Sequence, residues 1–352
     1  MKRRRAGKTE LELPVVCFGA WAIGGWAWGG TDEDDAVSAM SAGIEVGMDA
    51  IDTAPVYGFG LSERLVAKAI AGRKDVKVLT KAGLRWDAEE GEPFFESEIP
   101  GLGSRMVRRN SRPESLRVEV DRSLERLGVE RIDLLQIHWP DATTPIADSM
   151  GALSELRSEG KIGEIGVSNY TPAQLEEARV ALGDVPLATD QPRHSLVDHQ
   201  IREDGVLEWA KRHEVGLVIY SPLEQGLLTG ALGKNRTFPE GDARAKSWKL
   251  SADNREIVNE AIDRVLRPIA ADHEATVAQV AIAATVAREG ITAALVGARS
   301  RIQALENAAA GDLALTDPER ERIEACFGAI RMLHPDSRRA RFRNFKRRLF
   351  GR

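Results

Sequence analysis

Short apolar segments alternate with longer amphipathic segments along most of this chain. The apolar segments are rich in Val, Ile and Leu, and the amphipathic ones repeat their apolar positions with the period of a helix. The apolar segments predict strands at residues 15–18, 49–52, 76–81, 132–138, 162–168, 187–191, 216–220 and 292–296. The amphipathic segments predict helices at residues 34–46, 62–71, 112–127, 146–159, 171–182, 205–212, 277–288 and 301–310.

Eight strand-then-helix units predict an α/β fold, a (β/α)₈ TIM barrel. The strands are continuous apolar runs, as expected for parallel strands covered by helices. A doubly wound open sheet is the alternative, and it should show a G-x-G-x-x-G turn after an early strand. The glycines at positions 19, 24, 25, 29 and 30 do not have that spacing. They alternate with Trp21, Trp26 and Trp28, which indicates an aromatic loop beside a pocket.

We expect residues 1–330 to form a single barrel domain with an N-terminal hairpin. Residues 223–250, called the lid below, form a connection too long for an ordinary loop, and such segments often cover active sites. Residues 331–352 carry nine Lys or Arg and one acidic residue. We expect this basic C-terminal tail to be largely disordered, and contact with an acidic partner is the alternative.

Composition excludes several classes of protein. Lys and Arg total 49 against 54 Asp and Glu, a net charge of −5, so we expect no nucleic-acid partner. Cys17 and Cys326 are far apart, which favours neither a disulfide framework nor a zinc site and fits a reducing compartment, the cytoplasm. The chain has no apolar run of the roughly 18 residues that a membrane span needs. No cluster of metal ligands occurs, so we expect no metal.

Most of the predicted strands end in polar residues. In a (β/α)₈ barrel the carboxyl ends of the strands form one rim, which is where active sites lie. The residues concerned are Asp52, Lys81, His138, Ser168, Asn169, Gln191, Tyr220 and Ser221.

Four residues suggest proton transfer to a carbonyl group. A tyrosine is a weak acid at neutral pH, and an ammonium group beside Tyr57 would lower its pKa. Lys81 could supply that charge, with Asp52 as its counter-ion. His138 could orient a substrate oxygen. Since no side chain delivers hydride, a nicotinamide or flavin cofactor is implied.

These motifs resemble the aldo-keto reductase family. The resemblance rests on residues 51–58 (IDTAPVYG), Lys81, and residues 134–140 (LLQIHWP), 160–162, 166–169, 220–223, 226–230 and 296–299. It extends from about residue 7 to residue 326, and residues 21–32 are most similar to the bacterial general-stress-protein branch.

The resemblance implies a role for each matching residue. Tyr57 would be the general acid, Lys81 the modulator of its pKa, Asp52 the partner of Lys81, and His138 the group that orients the carbonyl. Trp21 and Trp139 would line the substrate pocket, and the substrate would be a small aldehyde or ketone. The nicotinamide carboxamide would be held by Ser168, Asn169 and Gln191, and Tyr220 would stack on the nicotinamide ring. The pyrophosphate would be flanked by Ser221, Leu223, Gln225 and Gly226. The adenosine would be held by Gly297, Arg299, Gln303 and Asn307. Because a guanidinium group suits a ribose 2′-phosphate, Arg299 favours NADPH over NADH.

The sequence departs from the family pattern after Gln191. Residues 192–195 read Pro-Arg-His-Ser, where many members have a Tyr-Asn pair, so local packing or substrate contacts should differ there.

Three functions are compatible with the selected site residues. The first is an NADPH-dependent carbonyl reductase. The second is an NADP-binding sensor or auxiliary subunit with little turnover, since a fold and a site do not guarantee flux. A barrel with another chemistry, such as an isomerase, is a distant third.

Overall fold

Eight parallel strands close into a barrel within residues 1–335, the part of the chain that the computed structural model describes. Around the barrel the strands follow one another in chain order, and the last pairs with the first. The barrel strands are β3 (Val16–Gly19), β4 (Ala50–Asp52), β5 (Lys77–Ala82), β9 (Ile132–Ile137), β10 (Ile162–Ser168), β11 (Leu187–Gln191), β12 (Gly216–Tyr220) and β13 (Ile291–Val296).

Helices cover the outside of the barrel, as the amphipathic segments predict. Each predicted strand and helix lies within two residues of an observed one. The helices are α1 (Glu33–Glu45), α2 (Leu61–Ile70), α3 (Pro113–Leu127), α4 (Ile146–Ser158), α5 (Pro172–Leu182), α6 (Gln200–Glu203), α7 (Val206–His213), α8 (Ala252–Ala261), α9 (Arg267–Asp272), α10 (Val277–Val286), α11 (Arg301–Ala309) and α12 (Asp317–Phe327). The predicted fold class, a (β/α)₈ barrel, is confirmed.

Two layers of apolar side chains pack on the outside and the inside of the barrel, so the barrel has a filled core and no pore. Outward-facing strand residues pack against the helices, for example Ile51 and Ile165. Inward-facing residues such as Leu79, Leu134 and Val218 fill the barrel interior. The cavity therefore lies at the carboxyl end of the strands, above this filling.

Local sequence determines where several helices begin and end. Thr171 precedes α5 and forms a reciprocal capping box with Gln174, which satisfies two free amide groups. Gly128 ends α3 in the left-handed conformation at φ +65°, where a residue without Cβ is favoured. These caps fix the loops that leave the strand ends.

Two antiparallel sheets lie outside the barrel. The predicted N-terminal hairpin is present, with β1 (Arg3–Arg5) paired to β2 (Glu12–Pro14). A three-stranded sheet between β5 and α3 was not predicted from the sequence. It consists of β6 (Leu84–Arg85), β7 (Glu92–Ile99) and β8 (Gly103–Arg109), in the order β6-β8-β7.

The chain beyond α12 passes beside the end of the lid. Asn254 donates to the carbonyl oxygen of Leu333 at 3.2 Å and accepts from its amide at 2.7 Å. Most of the predicted basic tail, residues 336–352, lies outside the described residues. Within residues 1–335, every helix is too short or too polar to cross a bilayer.

Candidate active site

The carboxyl ends of the barrel strands open into one cavity of about 850 Å³. With the exception of Lys81, which lies beneath Asp52, every residue that the sequence analysis selects contributes to its wall. These wall residues are Trp21, Asp52, Tyr57, His138, Trp139, Ser168, Asn169, Gln191, Tyr220, Ser221, Leu223, Gln225, Gly226, Gly297, Arg299, Gln303 and Asn307.

A buried ion pair forms the floor of the cavity. Lys81 Nζ lies 2.5 Å from Asp52 Oδ1 and also donates to the carbonyl oxygen of Thr53 at 2.9 Å. Both side chains are almost completely shielded from solvent. Burial raises the pKa of Asp52 and lowers that of Lys81, while their mutual attraction opposes both shifts. The base of the site therefore holds a positive and a negative group side by side, and the pair as a whole is neutral.

Tyr57 and His138 stand above this pair. The ammonium of Lys81 lies 4.9 Å from the centroid of the Tyr57 ring, and the rings of Tyr57 and His138 meet edge to face at 5.7 Å. Gly24 packs against the tight turn that carries Tyr57, since a Cβ at Gly24 would lie 2.7 Å from the Tyr57 carbonyl carbon. This close contact fixes the tyrosine against the aromatic loop.

Burial and the nearby ammonium of Lys81 hold the pKa of His138 well below its usual value. The imidazole is therefore neutral at physiological pH, and it can share one hydrogen bond with a substrate oxygen without carrying a charge. Asn169 Nδ2 donates to the carbonyl oxygen of His138 at 3.1 Å and so links this residue to the next strand end.

The lowering of the Tyr57 pKa by Lys81 stays a prediction, and other groups dominate that pKa in this structure. The pKa of Tyr57 is raised well above 10, first by burial and then by the Asp52 carboxylate. The reason is that Lys81 is already paired with Asp52, so its charge is compensated, and its ammonium faces the ring of Tyr57. Tyr57 is accordingly protonated at neutral pH.

Two glutamines complete the environment of Asp52. Gln191 Nε2 donates to Asp52 Oδ2 at 2.8 Å, and Gln136 Nε2 lies 3.4 Å from the same oxygen. Gln191 Nε2 also lies 3.3 Å from Gln136 Oε1. The sequence analysis missed Gln136, although its place two residues before His138 on β9 puts both side chains on one face of the strand.

Polar groups on the β10 and β12 ends form one side of the cavity. Ser168 Oγ donates to the carbonyl oxygen of Gln191 at 2.7 Å, and Asn169 Nδ2 donates to Ser168 Oγ at 2.9 Å. The Tyr220 hydroxyl donates to Asn169 Oδ1 at 3.0 Å. Asn169 has a left-handed backbone, at φ +63°, which turns the chain after β10. These hydrogen bonds hold the Asn169 amide beside the ring of Tyr220.

A tight turn follows β12 and begins the lid. Four residues within residues 221–226 have positive φ, namely Ser221 at +58°, Glu224 at +46°, Gln225 at +56° and Gly226 at +97°. This conformation is unfavourable for residues that carry a Cβ, so the turn must be held by its surroundings. It brings the backbone of this segment to the cavity wall.

The far end of the cavity is formed after β13. Asn307 Nδ2 donates to the carbonyl oxygen of Gly297 at 3.1 Å, and the amide of Arg299 donates to Gln303 Oε1 at 2.9 Å. The Arg299 guanidinium donates to the carbonyl oxygens of Trp28 and Gly30, at 3.2 Å and 2.8 Å. Arg299 therefore joins the strand end to the aromatic loop on the opposite side.

Aromatic rings line the rest of the cavity. Trp21 and Trp139 lie in its wall together with Trp26, Phe94 and Phe95, and Trp28 contacts both the ring of Trp21 and the guanidinium of Arg299. Phe94 and Phe95 belong to the antiparallel sheet that was not predicted, so sequence reasoning missed them. Arg193 and Arg244 were also missed and also line the cavity.

The donor groups fit a nicotinamide dinucleotide. Amides and an aromatic ring, from Asn169, Gln191 and Tyr220, lie near Tyr57 and His138, whereas cationic side chains lie at the end near Asn307. Because Gln191 turns its amide nitrogen toward Asp52, its amide oxygen is left for a ligand. No group of three or more His, Cys, Asp or Glu side chains within residues 1–335 is arranged to hold a metal ion.

Comparison with known proteins identifies the family. The model of the aldo/keto reductase family matches residues 15–327. The chain is 34% identical over 336 residues to the NADH-specific methylglyoxal reductase of Escherichia coli (strain K12), covering 92% of this chain and 99% of that protein. It is 28% identical over 322 residues to a probable voltage-gated potassium channel subunit beta from Arabidopsis thaliana, covering 89% and 92% of the two chains.

A solved structure agrees with these relatives. The glycerol dehydrogenase AKR11B4 from Gluconobacter oxydans superposes with a TM-score of 0.81 at 36% identity, covering 95% of this chain and 98% of that one. The barrel, the polar strand ends and the family match over most of its length together show that this protein belongs to the aldo/keto reductase family.

Proposed function

We propose that this protein is a nicotinamide-dependent reductase that converts small aldehydes or ketones to alcohols. One observation carries the proposal: the rings of Tyr57 and His138 meet edge to face in one cavity, beside the buried pair of Lys81 and Asp52. Membership of an oxidoreductase family supports the same reaction class.

The residues divide the chemistry among them. The substrate carbonyl oxygen lies between Tyr57 and His138, where His138 orients it with a hydrogen bond. The chemistry that a nicotinamide would supply when bound is a hydride for the carbonyl carbon. Tyr57 gives its hydroxyl proton to the oxygen, so that an alcohol forms and a phenolate remains. The ammonium of Lys81 stabilises that phenolate, and Asp52 keeps Lys81 charged inside the barrel.

The wall residues hold the cofactor along the cavity. Ser168, Asn169 and Gln191 would bind the carboxamide of the nicotinamide, and the ring of Tyr220 would pack against it. The turn containing Ser221, Leu223, Gln225 and Gly226 would hold the pyrophosphate. Gly297, Arg299, Gln303 and Asn307 would hold the adenosine. Their positions in one continuous wall support these assignments.

We infer a preference for NADPH from the cations at the adenosine end. Arg299 has an exposed guanidinium there, which can bind a 2′-phosphate. Arg244 lies above the ring of Trp28 at 4.8 Å, and its charge is paired with Asp242 at 2.7 Å. Since the E. coli relative is named NADH-specific, the two nucleotides need direct comparison. We place the reaction in the cytoplasm, as the two free cysteines suggest.

Replacing Tyr57 with phenylalanine tests the proposed reaction. NADPH and NADH are titrated separately into the wild type and the variant by fluorescence, and oxidation of each nucleotide is then followed with a panel of small aldehydes. We expect Tyr57→Phe to bind nucleotide normally and to lose activity by a factor of about 10²–10⁴, the usual contribution of a general acid. Tyr170→Phe is the matched control, because Tyr170 is buried outside the cavity wall.

Each outcome has a definite meaning. Turnover that survives in Tyr57→Phe contradicts the role of Tyr57, and a wild type that binds neither nucleotide contradicts the proposal as a whole. Nucleotide binding without turnover on any carbonyl favours a second function, an NADP-binding sensor or auxiliary subunit. The relative named as a potassium channel subunit beta is the observation that favours this alternative.

A further inference from the structure

The turn that carries Tyr57 is strained and leads directly into α2. Gly58, Phe59 and Gly60 have positive φ in succession, at +63°, +53° and +92°. This conformation is unfavourable for a residue with a Cβ, such as Phe59, so contacts elsewhere must stabilise the turn. The position of the proposed acid therefore depends on what holds the start of α2.

A fully buried carboxylate lies in the first turn of α2, outside the cavity wall. It belongs to Glu63, and its two oxygens contact different elements of the fold. Thr80 Oγ1 donates to Glu63 Oε1 at 2.9 Å, and Arg126 Nε on α3 donates to Glu63 Oε2 at 2.5 Å. A buried charge is tolerated when it is paired and hydrogen-bonded, as both oxygens are here. Glu63 therefore joins α2 to β5 and to α3.

Thr80 connects this carboxylate to the floor of the site. It precedes Lys81 on β5, and because side chains alternate along a strand, Thr80 points toward the helices while Lys81 points into the barrel. Burial lowers the pKa of Lys81, and the charge of Asp52 and then that of Glu63 oppose this shift. The segment that carries Tyr57 and the strand that carries Lys81 are thus held by the same side chain.

Arg126 supports the same turn from α3. A Cβ placed on Gly60 would lie 2.9 Å from Arg126 Cδ, so the stem of the arginine packs closely on the backbone of the turn. Its guanidinium also donates to Ser123 Oγ at 3.2 Å. The close packing and the ion pair with Glu63 therefore act on adjacent parts of one short segment, residues 58–63.

We propose that Glu63 is a positioning residue, one that fixes the Tyr57 hydroxyl relative to Lys81 for the proposed reaction. The inference rests on the proposed function, because it needs Tyr57 to act as the acid. Glu63 lies outside the cavity wall, so its loss should slow the chemical step and leave nucleotide binding unchanged. A residue with a structural role alone would change stability and leave the rate of the chemical step the same.

Thr80→Val tests this role with a small change. The substitution keeps the branched shape of the side chain and removes the hydroxyl that contacts Glu63. With saturating nucleotide, the single-turnover rate of aldehyde reduction should fall by roughly tenfold, since a small misplacement of a catalytic group slows the reaction strongly. The nucleotide Kd should keep its wild-type value. Thr80→Ser retains the hydroxyl and should restore most of the rate.

A second variant and a matched control complete the set. Glu63→Gln removes the charge that pairs with Arg126, and we expect a loss of rate in the same range. Thr285→Val is the control for Thr80→Val. Thr285 is buried in α10, donates to the carbonyl oxygen of Ala281 at 2.7 Å and lies outside the cavity wall, so its substitution should leave the rate unchanged.

Combining Thr80→Val with Tyr57→Phe separates positioning from a general loosening of the site. If Thr80 acts through the Tyr57 hydroxyl, the double variant should keep the residual rate of Tyr57→Phe, because no hydroxyl is left to misplace. If the substitution disturbs the site as a whole, the double variant should lose a further factor of about ten, as independent effects do.

Several results would overturn the positioning role. They are an unchanged rate in both Thr80→Val and Glu63→Gln, an equal loss in Thr285→Val, or a nucleotide Kd that weakens in parallel with the rate. If Glu63→Gln does not fold, Thr80→Val and its serine control still decide. Turnover that survives in Tyr57→Phe contradicts the proposed function, whereas a double variant that loses the further factor contradicts the positioning role alone.

Discussion

The acidity of Tyr57 depends on the charge balance beneath it. Lys81 and Asp52 are in contact at 2.5 Å, so Tyr57 is next to a compensated pair instead of a free cation. Burial and the carboxylate then raise the pKa of Tyr57. A raised pKa keeps the proton on the hydroxyl until it is needed, which suits a group that donates a proton during reduction.

The pH dependence of the two reaction directions follows from these shifts. Reduction needs protonated Tyr57, and because its pKa is raised, we expect a constant rate from about pH 6.5 to 9 with a fall only above about pH 10. His138, whose lowered pKa keeps it neutral, adds no change above pH 6.5. Alcohol oxidation needs the phenolate as a base, so its rate should rise with pH over the same range.

Single-turnover measurement of nicotinamide absorbance in both directions tests this expectation. The rate of hydride transfer is recorded with saturating cofactor, which removes the contribution of cofactor binding. Tyr170→Phe should give the wild-type profile. A fall in the reduction rate centred between pH 7 and 8 would mean that Lys81 lowers the pKa of Tyr57 after all.

The antiparallel sheet of β6, β7 and β8 determines the shape of the aromatic end of the cavity. Trp26 Nε1 donates to Ser97 Oγ on β7 at 2.9 Å, and the ring of Trp26 stacks on Phe95 at 5.4 Å. The guanidinium of Arg109 on β8 lies 4.1 Å from the ring centroid of Phe94, behind the cavity wall. The sheet and the aromatic loop thus stabilise each other across the cavity mouth.

Truncating Phe95 should affect the carbonyl substrate and leave the cofactor unaffected. Phe95→Ala removes a ring from the cavity wall and one partner of Trp26, and aromatic pairs contribute about 0.5–1.5 kcal/mol beyond their buried area. We therefore expect kcat/KM for an aromatic aldehyde to fall by roughly threefold to tenfold. Cofactor affinity should stay the same, because the proposed nucleotide residues lie on other strand ends.

Steady-state kinetics and a nucleotide titration of the same variant check this separation. Leu102→Ala is the control, since Leu102 is exposed in the turn between β7 and β8 and lies outside the cavity wall. Equal losses in aldehyde kinetics and in cofactor affinity would show that the sheet supports the whole site and has no specific part in the substrate end.

The barrel elements could be predicted because each has a simple pattern. Its strands are continuous apolar runs, and helices with caps such as Thr171 follow them. The strands β7 and β8 carry charged residues between their apolar ones, and the ring of Phe94 gains its place from contact with Arg109. Such contacts depend on tertiary packing. The Pro100-Gly101 pair at the turn was the local signal that could have indicated a hairpin.

At the scale of the whole molecule, chain order predicts the parts of the site that lie at strand ends. Asp52, Lys81 and His138 end predicted strands, and the closed barrel brings them together. Glu224, Lys249 and Arg244 lie in the lid, whose path is set by contacts with distant segments. Their spacing along the chain contains no period that indicates those contacts, so the contacts are visible only in three dimensions.

The cofactor should stabilise the barrel as a unit. The proposed nucleotide residues lie at the ends of β10, β11, β12 and β13, in the turn after β12 and on α11, and these four strands pair with their neighbours around a closed barrel. A ligand that binds only the folded state at 100 times its Kd adds about 2.7 kcal/mol. For a chain of this size we expect a rise in melting temperature of several degrees. If residues 1–330 form one domain, as the sequence predicts, a single transition should move.

Differential scanning calorimetry with and without NADPH measures both features. Tyr57→Phe should show the same shift as the wild type, because it removes a proton donor and leaves the proposed nucleotide contacts in place. Two separate transitions, of which NADPH moves one, would contradict the single domain, since the strands on either side of the cavity would then unfold independently.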